Sequence, residues 1–255
     1  GLYQAKKSLS VTDAGLAVMI WPVIAAVDKK GGKFQLLAAA PVLAVAIVAR
    51  LTGTSSIIVG VLFAGMCYLA ARAYPRASVL LGGMIISSAL LAAPRIAGWL
   101  RLVPAPLEQT LPPSYYHRVE IWKNTAALIA QKPWFGWGMD ASKTFRQAHD
   151  YGPLGVHSLI PWHPHNAALH IWLETGLVGA GLISALVLAL TLSIVRGLSH
   201  DRRAIAGTVA SIGAFCVFAC VSFGIWQAWF LSTGFAAAGL IAALSSKRNG
   251  DTNAG

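Results

Sequence analysis

Charged residues are scarce in this sequence, and acidic residues are scarcer still. Only 11% of the 255 residues are charged, and nine Asp and Glu stand against 20 Lys and Arg. Soluble domains contain about 25% charged residues, so the composition excludes an ordinary soluble protein. The 56% share of hydrophobic residues is typical of a polytopic membrane protein.

Cysteine is almost as rare, and its placement excludes two kinds of site. Cys67, Cys216 and Cys220 all lie in apolar stretches, without the spacing of a disulfide framework or a zinc site. The sequence also has no initiator Met and no signal-peptide pattern. We therefore expect the three cysteines to be small buried residues. We also expect the sequence to be a piece of a longer protein.

Long apolar runs are plentiful. A helix needs roughly 17–25 apolar residues to cross a hydrocarbon core of about 30 Å. Seven windows come near this length or exceed it, the first and fourth being short. They predict an all-α polytopic membrane protein with one large loop before the last three helices. The windows are about 14–27, 34–50, 56–73, 78–93, 167–195, 204–222 and 226–244.

The basic residues predict the orientation of these helices. With the loop after the fifth helix in the cytoplasm, ten Lys and Arg lie on the cytoplasmic side and three in the short outer stretches. The net charge of +11 is thus explained by topology and anionic lipid, and we expect no nucleic-acid partner. The expected regions are four helices in 1–93, a periplasmic loop in 94–163, three helices in 164–246 and a disordered cytoplasmic tail in 247–255.

The outer loop carries its own helical signals. A short interfacial helix is expected over Ile96–Leu102. Apolar residues at helical spacing predict an amphipathic helix over Arg118–Lys132. Pro133 should end this helix, and the string PWFGWG at 133–138 predicts an aromatic, Gly-rich turn.

Histidines cluster where this loop meets the fifth helix. Five of the seven lie within 22 residues: His149, His157, His163, His165 and His170. A zinc site is one interpretation, although the zincin spacing HExxH is missing. The other is acid–base chemistry, because a neutral imidazole accepts a proton near neutral pH. His165, between Pro164 and Asn166, is the better placed base, unless it is only an interfacial capping residue.

The fifth helix continues from this cluster. His165, Gly176 and Gly179 fall on one predicted helix face, where the two glycines would let another helix approach closely. Glu174 is the only clearly intramembrane acid in the predicted spans, and we expect it to pair with His170 one turn earlier.

Two arginines on the predicted outer side are candidates for binding phosphate. Arg118 begins the amphipathic helix and Arg50 ends the second membrane helix. A guanidinium binds phosphate through two parallel hydrogen bonds and stays charged. The alternative is that both only mark topology or reach the headgroups, and this alternative is weaker for Arg118.

Together these motifs resemble the bacterial O-antigen ligase family, whose shared domain also occurs in O-antigen and exopolysaccharide polymerases. The pattern from His165-Asn166 through nine residues to Gly176-x-x-Gly179 is similar to the family signature H-[NSQ]-x9-G-x-x-G. The string RVEIW at 118–122, followed by PWFGWG, is similar to the family's outer loop. The family fold has about a dozen membrane helices, so the resemblance implies that roughly five N-terminal helices are missing.

The resemblance implies a membrane glycosyltransferase of lipopolysaccharide biosynthesis. Such an enzyme moves a glycan from an undecaprenyl-diphosphate donor to a sugar hydroxyl, which for a ligase belongs to the lipid A core. His165 would be the base and Arg118, with Arg50, would bind the diphosphate, without metal or cofactor. His163 and Asn166 would bind substrate. Trp137, with Trp134 and Phe135, would either stack on sugar rings or belong to the aromatic belt at the membrane interface.

The sequence departs from the family at one point. Relatives often carry a Ser-Arg pair where this chain has LTGTSS at 51–56. Arg50, Lys123, Lys143 or a residue of the missing part would then replace that arginine. A polymerase of the same superfamily remains open, and a membrane transporter or a non-catalytic scaffold is a more distant alternative.

Overall fold

The computed structural model describes residues 2–28, 34–53, 55–108, 110–196 and 201–251. Five of the seven predicted apolar windows lie entirely in helices, and the last two, 204–222 and 226–244, extend beyond their helices by one and two residues. The helices are α1 (Leu2–Asp28), α2 (Phe34–Thr52), α3 (Ser55–Ala73), α4 (Pro75–Trp99), α5 (Ala105–Glu108), α6 (Pro113–Gln131), α7 (Ala167–Arg196), α8 (Arg202–Val221) and α9 (Ala228–Asp251).

Five helical segments among the described residues are long and apolar enough to cross a membrane. They are Leu9–Asp28, Ser55–Ala73, Pro75–Leu102, Ala167–Arg196 and Arg202–Val221. The helices α2 and α9 contain shorter apolar segments, Ala40–Leu51 and Ala228–Ala243. The helical membrane class is confirmed, and the chain is a multi-pass membrane protein; seven spans remain a prediction.

Two sequence predictions in these helices need correction. The separate interfacial helix over Ile96–Leu102 is wrong, because α4 runs on to Trp99 and one 3₁₀ turn, Leu100–Leu102, continues it. Glu174 is also not alone, since Asp13 is 3% exposed within the span Leu9–Asp28. The predicted window 14–27 begins one residue after Asp13 and so does not include this carboxylate.

Contacts divide the chain into two compact units. The first contains Gly1–Gly82, Thr191–Phe218 and Trp226–Gly255. Within it, the Asp28 carboxylate binds the Arg72 guanidinium, accepts a hydrogen bond from Tyr68 Oη at 3.0 Å and lies 3.4 Å from Arg203 Nε. This cluster ties the ends of α1, α3 and α8 together.

Some predictions for this unit fall near or beyond its described parts. The basic residues Lys29, Lys30 and Lys33, used for the orientation, lie outside the described residues. The tail that was expected to be disordered from 247 is helical as far as Asp251.

The second unit contains Gly83–Leu190 and Ala219–Ile225. Its amphipathic helix α6 starts at Pro113, five residues before the predicted start, because proline suits the first helical position. It ends at Gln131, as Pro133 requires.

A small hairpin in this unit was not predicted. Strand β1 (Ala148–Asp150) pairs antiparallel with β2 (Val156–Ser158), and His149 lies opposite His157. Gly152 and Gly155 have positive φ in the connecting turn. In strands of three residues, the alternation of polar and apolar residues is too short to predict a strand from the sequence.

Candidate active site

Three segments of the second unit meet at the N-terminus of α7. They are α6, the segment His163–His165, called here the HPH segment, and Val221, the last residue of α8, with Ser222 after it. Trp122 Nε1 of α6 donates a 3.0 Å hydrogen bond to the Pro164 carbonyl, which fixes the HPH segment against α6. The two residues predicted to be catalytic are both part of this meeting point.

His165 is held in one orientation and one tautomer. Its Nδ1 lies 3.0 Å from the Ser222 carbonyl oxygen, which can only accept, so Nδ1 carries the proton and Nε2 keeps a lone pair. Burial lowers the pKa of His165, whereas the hydrogen bond to the Ser222 carbonyl raises it. The charges of the nearby Arg118 and His117 lower this pKa further, and the net shift is downward. The imidazole is therefore neutral at pH 7, as a general base must be.

The backbone of His165 is strained. Its φ of 52° lies in the left-handed region, which a non-glycine residue rarely occupies. The conformation is held by the Ser222 bond and by a 3.2 Å bond from the His165 backbone N–H to His163 Nδ1. Strain held by surrounding contacts is common at functional sites.

His163 supports His165 from the same segment. Its ring centroid lies 4.3 Å from that of His165, and Gly224 packs so closely that an added Cβ would lie 3.0 Å from its ring. Burial, then the charges of His165 and His170, lower the pKa of His163 to about 3. Since His163 Nδ1 accepts from a backbone N–H, the ring is neutral and acts as a positioning group.

Arg118 lies beside His165 because it binds the Val221 carbonyl, which precedes the Ser222 carbonyl that His165 binds. Its Nε donates to the Val221 carbonyl at 3.1 Å, and Nη1 donates to Ser114 at 2.9 Å. Burial lowers the pKa of the Arg118 guanidinium, although an arginine stays charged at neutral pH. A fixed cation and a neutral base thus stand side by side.

Helix α7 is interrupted at Gly176, where φ is 63° and ψ is −161°. The residues Pro133–Gly138, called here the 133–138 turn, fill the break. Four backbone hydrogen bonds join them: Leu177 N to Pro133 O (2.8 Å), Val178 N to Trp134 O (3.1 Å), Trp137 N to Leu173 O (2.8 Å) and Gly138 N to Glu174 O (3.0 Å). Broken backbone at membrane depth is tolerated only where protein satisfies it, and here the turn does so.

The glycine motif therefore serves a loop rather than another helix. A Cβ on Gly176 would lie 2.4 Å from the backbone of Trp134, and one on Gly136 would lie 2.5 Å from that of Glu174. Gly179 has a different neighbour, because its added Cβ would lie 2.0 Å from the Thr175 hydroxyl. The predicted single face running from His165 to Gly179 is broken at Gly176.

Glu174 belongs to a buried network. His170 Nε2 lies 3.1 Å from Glu174 Oε1, and the Ser142 hydroxyl donates to the same oxygen at 2.9 Å. Ser142 also lies 3.1 Å from His170 Nε2. The expected pair of His170 and Glu174 is present, and Ser142 extends it to the loop after the 133–138 turn.

Two residues predicted to bind substrate, Asn166 and Lys123, have other contacts. Asn166 Oδ1 accepts from the Leu169 N–H at 3.1 Å and so caps α7. Lys123 Nζ lies 2.5 Å from Glu108 and 2.9 Å from Glu120. Burial alone would lower the pKa of Lys123, but the two carboxylates raise it. Their negative charges also offset the positive charge with which Lys123 would attract a diphosphate.

Trp137 also has contacts within the protein, and Arg50 belongs to the first unit. Trp137 Nε1 donates to the Leu128 carbonyl at 2.9 Å, and its ring packs on Phe145 and under Lys132. Trp134 and Phe135 are exposed on the 133–138 turn. Arg50 is an exposed residue near the end of α2 in the first unit.

The histidine cluster of the sequence is divided in the structure. His149 and His157 contact Tyr151, with His117 of α6 beside them, whereas His163, His165 and His170 lie together. In the part of the chain that the structure describes, no three His, Cys, Asp or Glu side chains are arranged to hold a metal ion.

The pKa of His163 predicts how stability depends on pH. The unfolded chain binds a proton at this ring below about pH 6.5 and the folded chain only below about pH 3, so folding is favoured less as the pH falls between these values. The free energy of unfolding should decrease by up to about 1.4 kcal/mol per pH unit. Thermal unfolding in detergent across this range should show a shallower pH dependence for His163→Gln. Equal slopes for the two proteins would contradict the assignment.

A family model matches the part of the chain that contains Arg118 and His165. Residues 40–184, more than half of the chain, match a model described as O-antigen ligase. The match includes Arg118, His165 and both glycines.

Individual relatives agree with this match. A protein of Rickettsia bellii, provisionally named polysaccharide ligase, is 29% identical over 91% of this chain and 58% of its own length. Similarly named proteins of Rickettsia conorii and Rickettsia typhi are 34% and 32% identical over 48% of this chain and 30% of their own. This chain thus spans less than two thirds of these relatives. No solved structure gives a significant match. The chain belongs to the O-antigen ligase family.

Proposed function

We propose that this chain carries the reaction centre of a membrane glycosyltransferase. The donor is a glycan linked to undecaprenyl diphosphate, and the acceptor is a sugar hydroxyl on the periplasmic face of the inner membrane. The observation that supports this most is the pair of hydrogen bonds to consecutive carbonyls, from Arg118 to Val221 and from His165 to Ser222.

The base in this reaction is Nε2 of His165. The acceptor oxygen forms a bond to the anomeric carbon as the bond from that carbon to the diphosphate oxygen breaks. The hydroxyl proton passes to Nε2, whose lone pair is kept available by the Nδ1 bond to Ser222. Direct displacement inverts the configuration at the anomeric carbon.

Arg118 binds the diphosphate and stabilises its charge as it leaves. Its Nε and Nη1 are held by carbonyls, which fixes the plane of the guanidinium. A diphosphate leaves without much protonation, so the chemistry needs neither an acid nor a metal ion. Lys123 is an unsuitable second cation because Glu108 and Glu120 bind it.

We propose a ligase because the family model and the relatives are described as ligases. The proposed acceptor is the lipid A core. The experiment uses the purified full-length protein that contains this segment, with a lipid-linked glycan donor. Transfer to the lipid A core, unaffected by EDTA, is the expected result. A lengthened lipid-linked chain would indicate a polymerase, and loss of transfer in EDTA would contradict the metal-free mechanism.

Arg118 should also influence the pH profile of transfer. Its charge lowers the pKa of His165, so removing the charge should raise that pKa. In Arg118→Gln, the residual kcat/KM should therefore begin to fall at a higher pH than in the wild type as the pH is lowered. Arg118→Lys keeps the charge and should keep the wild-type acid limb even if its rate is reduced. Identical acid limbs in all three proteins would contradict the proposed proximity of charge and base.

A further inference from the structure

An exposed tryptophan lies just before the HPH segment. Trp162 is 61% exposed, although the Arg146 guanidinium lies over its ring at 4.3 Å from the centroid. Neither residue has a role in the mechanism above. A large aromatic ring with one face on an arginine and much of its surface open is suited to binding a ligand.

Backbone hydrogen bonds join the two segments that carry Arg146 and Trp162. The Ile160 N–H donates to the Phe145 carbonyl at 2.9 Å, and the Leu159 N–H donates to Gln147 at 2.9 Å. These bonds align the segments that carry Arg146 and Trp162. The Ser142 hydroxyl oxygen, whose proton goes to Glu174, lies 3.3 Å from the Trp162 carbonyl oxygen, so Trp162 adjoins the buried network of Glu174.

The position relative to His165 suggests which substrate is bound. Three residues of chain span at most about 11 Å, so the Trp162 backbone lies within the length of a short oligosaccharide from the base. The sugar that meets the base is the acceptor, whereas Arg118 serves the donor diphosphate. A second ring of the acceptor would then lie near Trp162.

The chemistry of the pair specifies the sugar. The face of an aromatic ring attracts the C–H bonds of a pyranose ring, and a guanidinium binds phosphate or carboxylate through two hydrogen bonds. Stacking on Trp162 fixes the plane of the Arg146 fork. We propose that Trp162 and Arg146 form an acceptor subsite for a sugar ring that carries a phosphate or carboxylate group. This inference rests on the proposed function.

The test uses the full-length protein in detergent and one oligosaccharide acceptor in two forms, phosphorylated and enzymatically dephosphorylated. Binding is measured by calorimetry without donor, and transfer is measured separately as kcat and KM. Trp162→Ala should weaken binding and raise KM for both forms by about 10-fold with kcat nearly unchanged. Trp162→Phe should restore most of the affinity.

Arg146→Gln should weaken only the phosphorylated form, and Arg146→Lys should weaken it less. The matched control is Trp99→Ala, another exposed tryptophan of this unit, which should change neither KM nor Kd. Unchanged binding in Trp162→Ala, as expected if Trp162 only contacts lipid headgroups, would overturn the subsite. So would equal losses for both forms in Arg146→Gln. If the wild type binds the phosphorylated form and transfers nothing, the proposed function fails while the calorimetry still decides the subsite.

Discussion

Replacing His165 by alanine should reduce kcat for glycan transfer by about 10²–10⁴-fold, the usual contribution of a general base. The substitution removes the lone pair of Nε2 and leaves the acceptor hydroxyl protonated as it attacks. Because Arg118, and not His165, is the proposed binding group for the donor diphosphate, KM for the donor should change little. The measurement is steady-state transfer by the full-length protein from a lipid-linked donor.

Two variants separate catalysis from folding. His165→Gln can still donate to the Ser222 carbonyl but has no basic nitrogen, so it should be stable and as inactive as His165→Ala. His149→Ala changes a histidine of the β-hairpin and should keep the wild-type rate. Wild-type transfer by His165→Gln would exclude His165 as the base.

Gly176→Ala should destabilise the fold more than any other glycine-to-alanine change in α7. At φ 63° and ψ −161°, the backbone is in a region that is essentially restricted to glycine. The added Cβ would also lie 2.4 Å from the Trp134 backbone, and no flexible side chain is present there to move aside. We expect a loss of more than about 3 kcal/mol, measured as a lower Tm in detergent and a lower yield of folded protein.

Gly181→Ala is the matched control in the same helix. An added Cβ there meets nothing within 4 Å, and the residue has ordinary helical geometry, so its Tm should stay the same or rise slightly. Gly136→Ala, on the other side of the contact, should resemble Gly176→Ala, because its Cβ would lie 2.5 Å from the Glu174 backbone. Equal Tm values for Gly176→Ala and Gly181→Ala would mean that the 133–138 turn does not fill the break in α7.

The sequence predicted the elements of the site better than their contacts. Pro133 ends α6 and Asn166 precedes α7, because proline and helix-capping residues act locally. Family membership was predicted from His165, Gly176 and the RVEIW string, and it is confirmed. Contacts between motifs were not predicted: PWFGWG and Gly176-x-x-Gly179 were both identified, but backbone hydrogen bonds between them have no sequence signal.

The least predictable part is the end of α8. Val221 and Ser222 bind Arg118 and His165 through carbonyl groups, which every residue has, across separations of 103 and 57 residues. Ser142 was missed for a similar reason, since an isolated serine in a loop has no distinctive pattern. The roles predicted for Asn166, Lys123 and Trp137 rested on residue type alone, and each of these side chains has a partner within the protein.

The consecutive carbonyls of Val221 and Ser222 have a consequence for how such enzymes would diversify under the proposed mechanism. Because Arg118 is hydrogen-bonded to the first and His165 to the second, a shift of this short backbone segment would move the two side chains together. Under the proposed mechanism, this backbone would set the distance from the acceptor hydroxyl to the leaving diphosphate. Changes in glycan choice would then accumulate in other segments, such as the loop carrying Arg146, without altering the reaction itself.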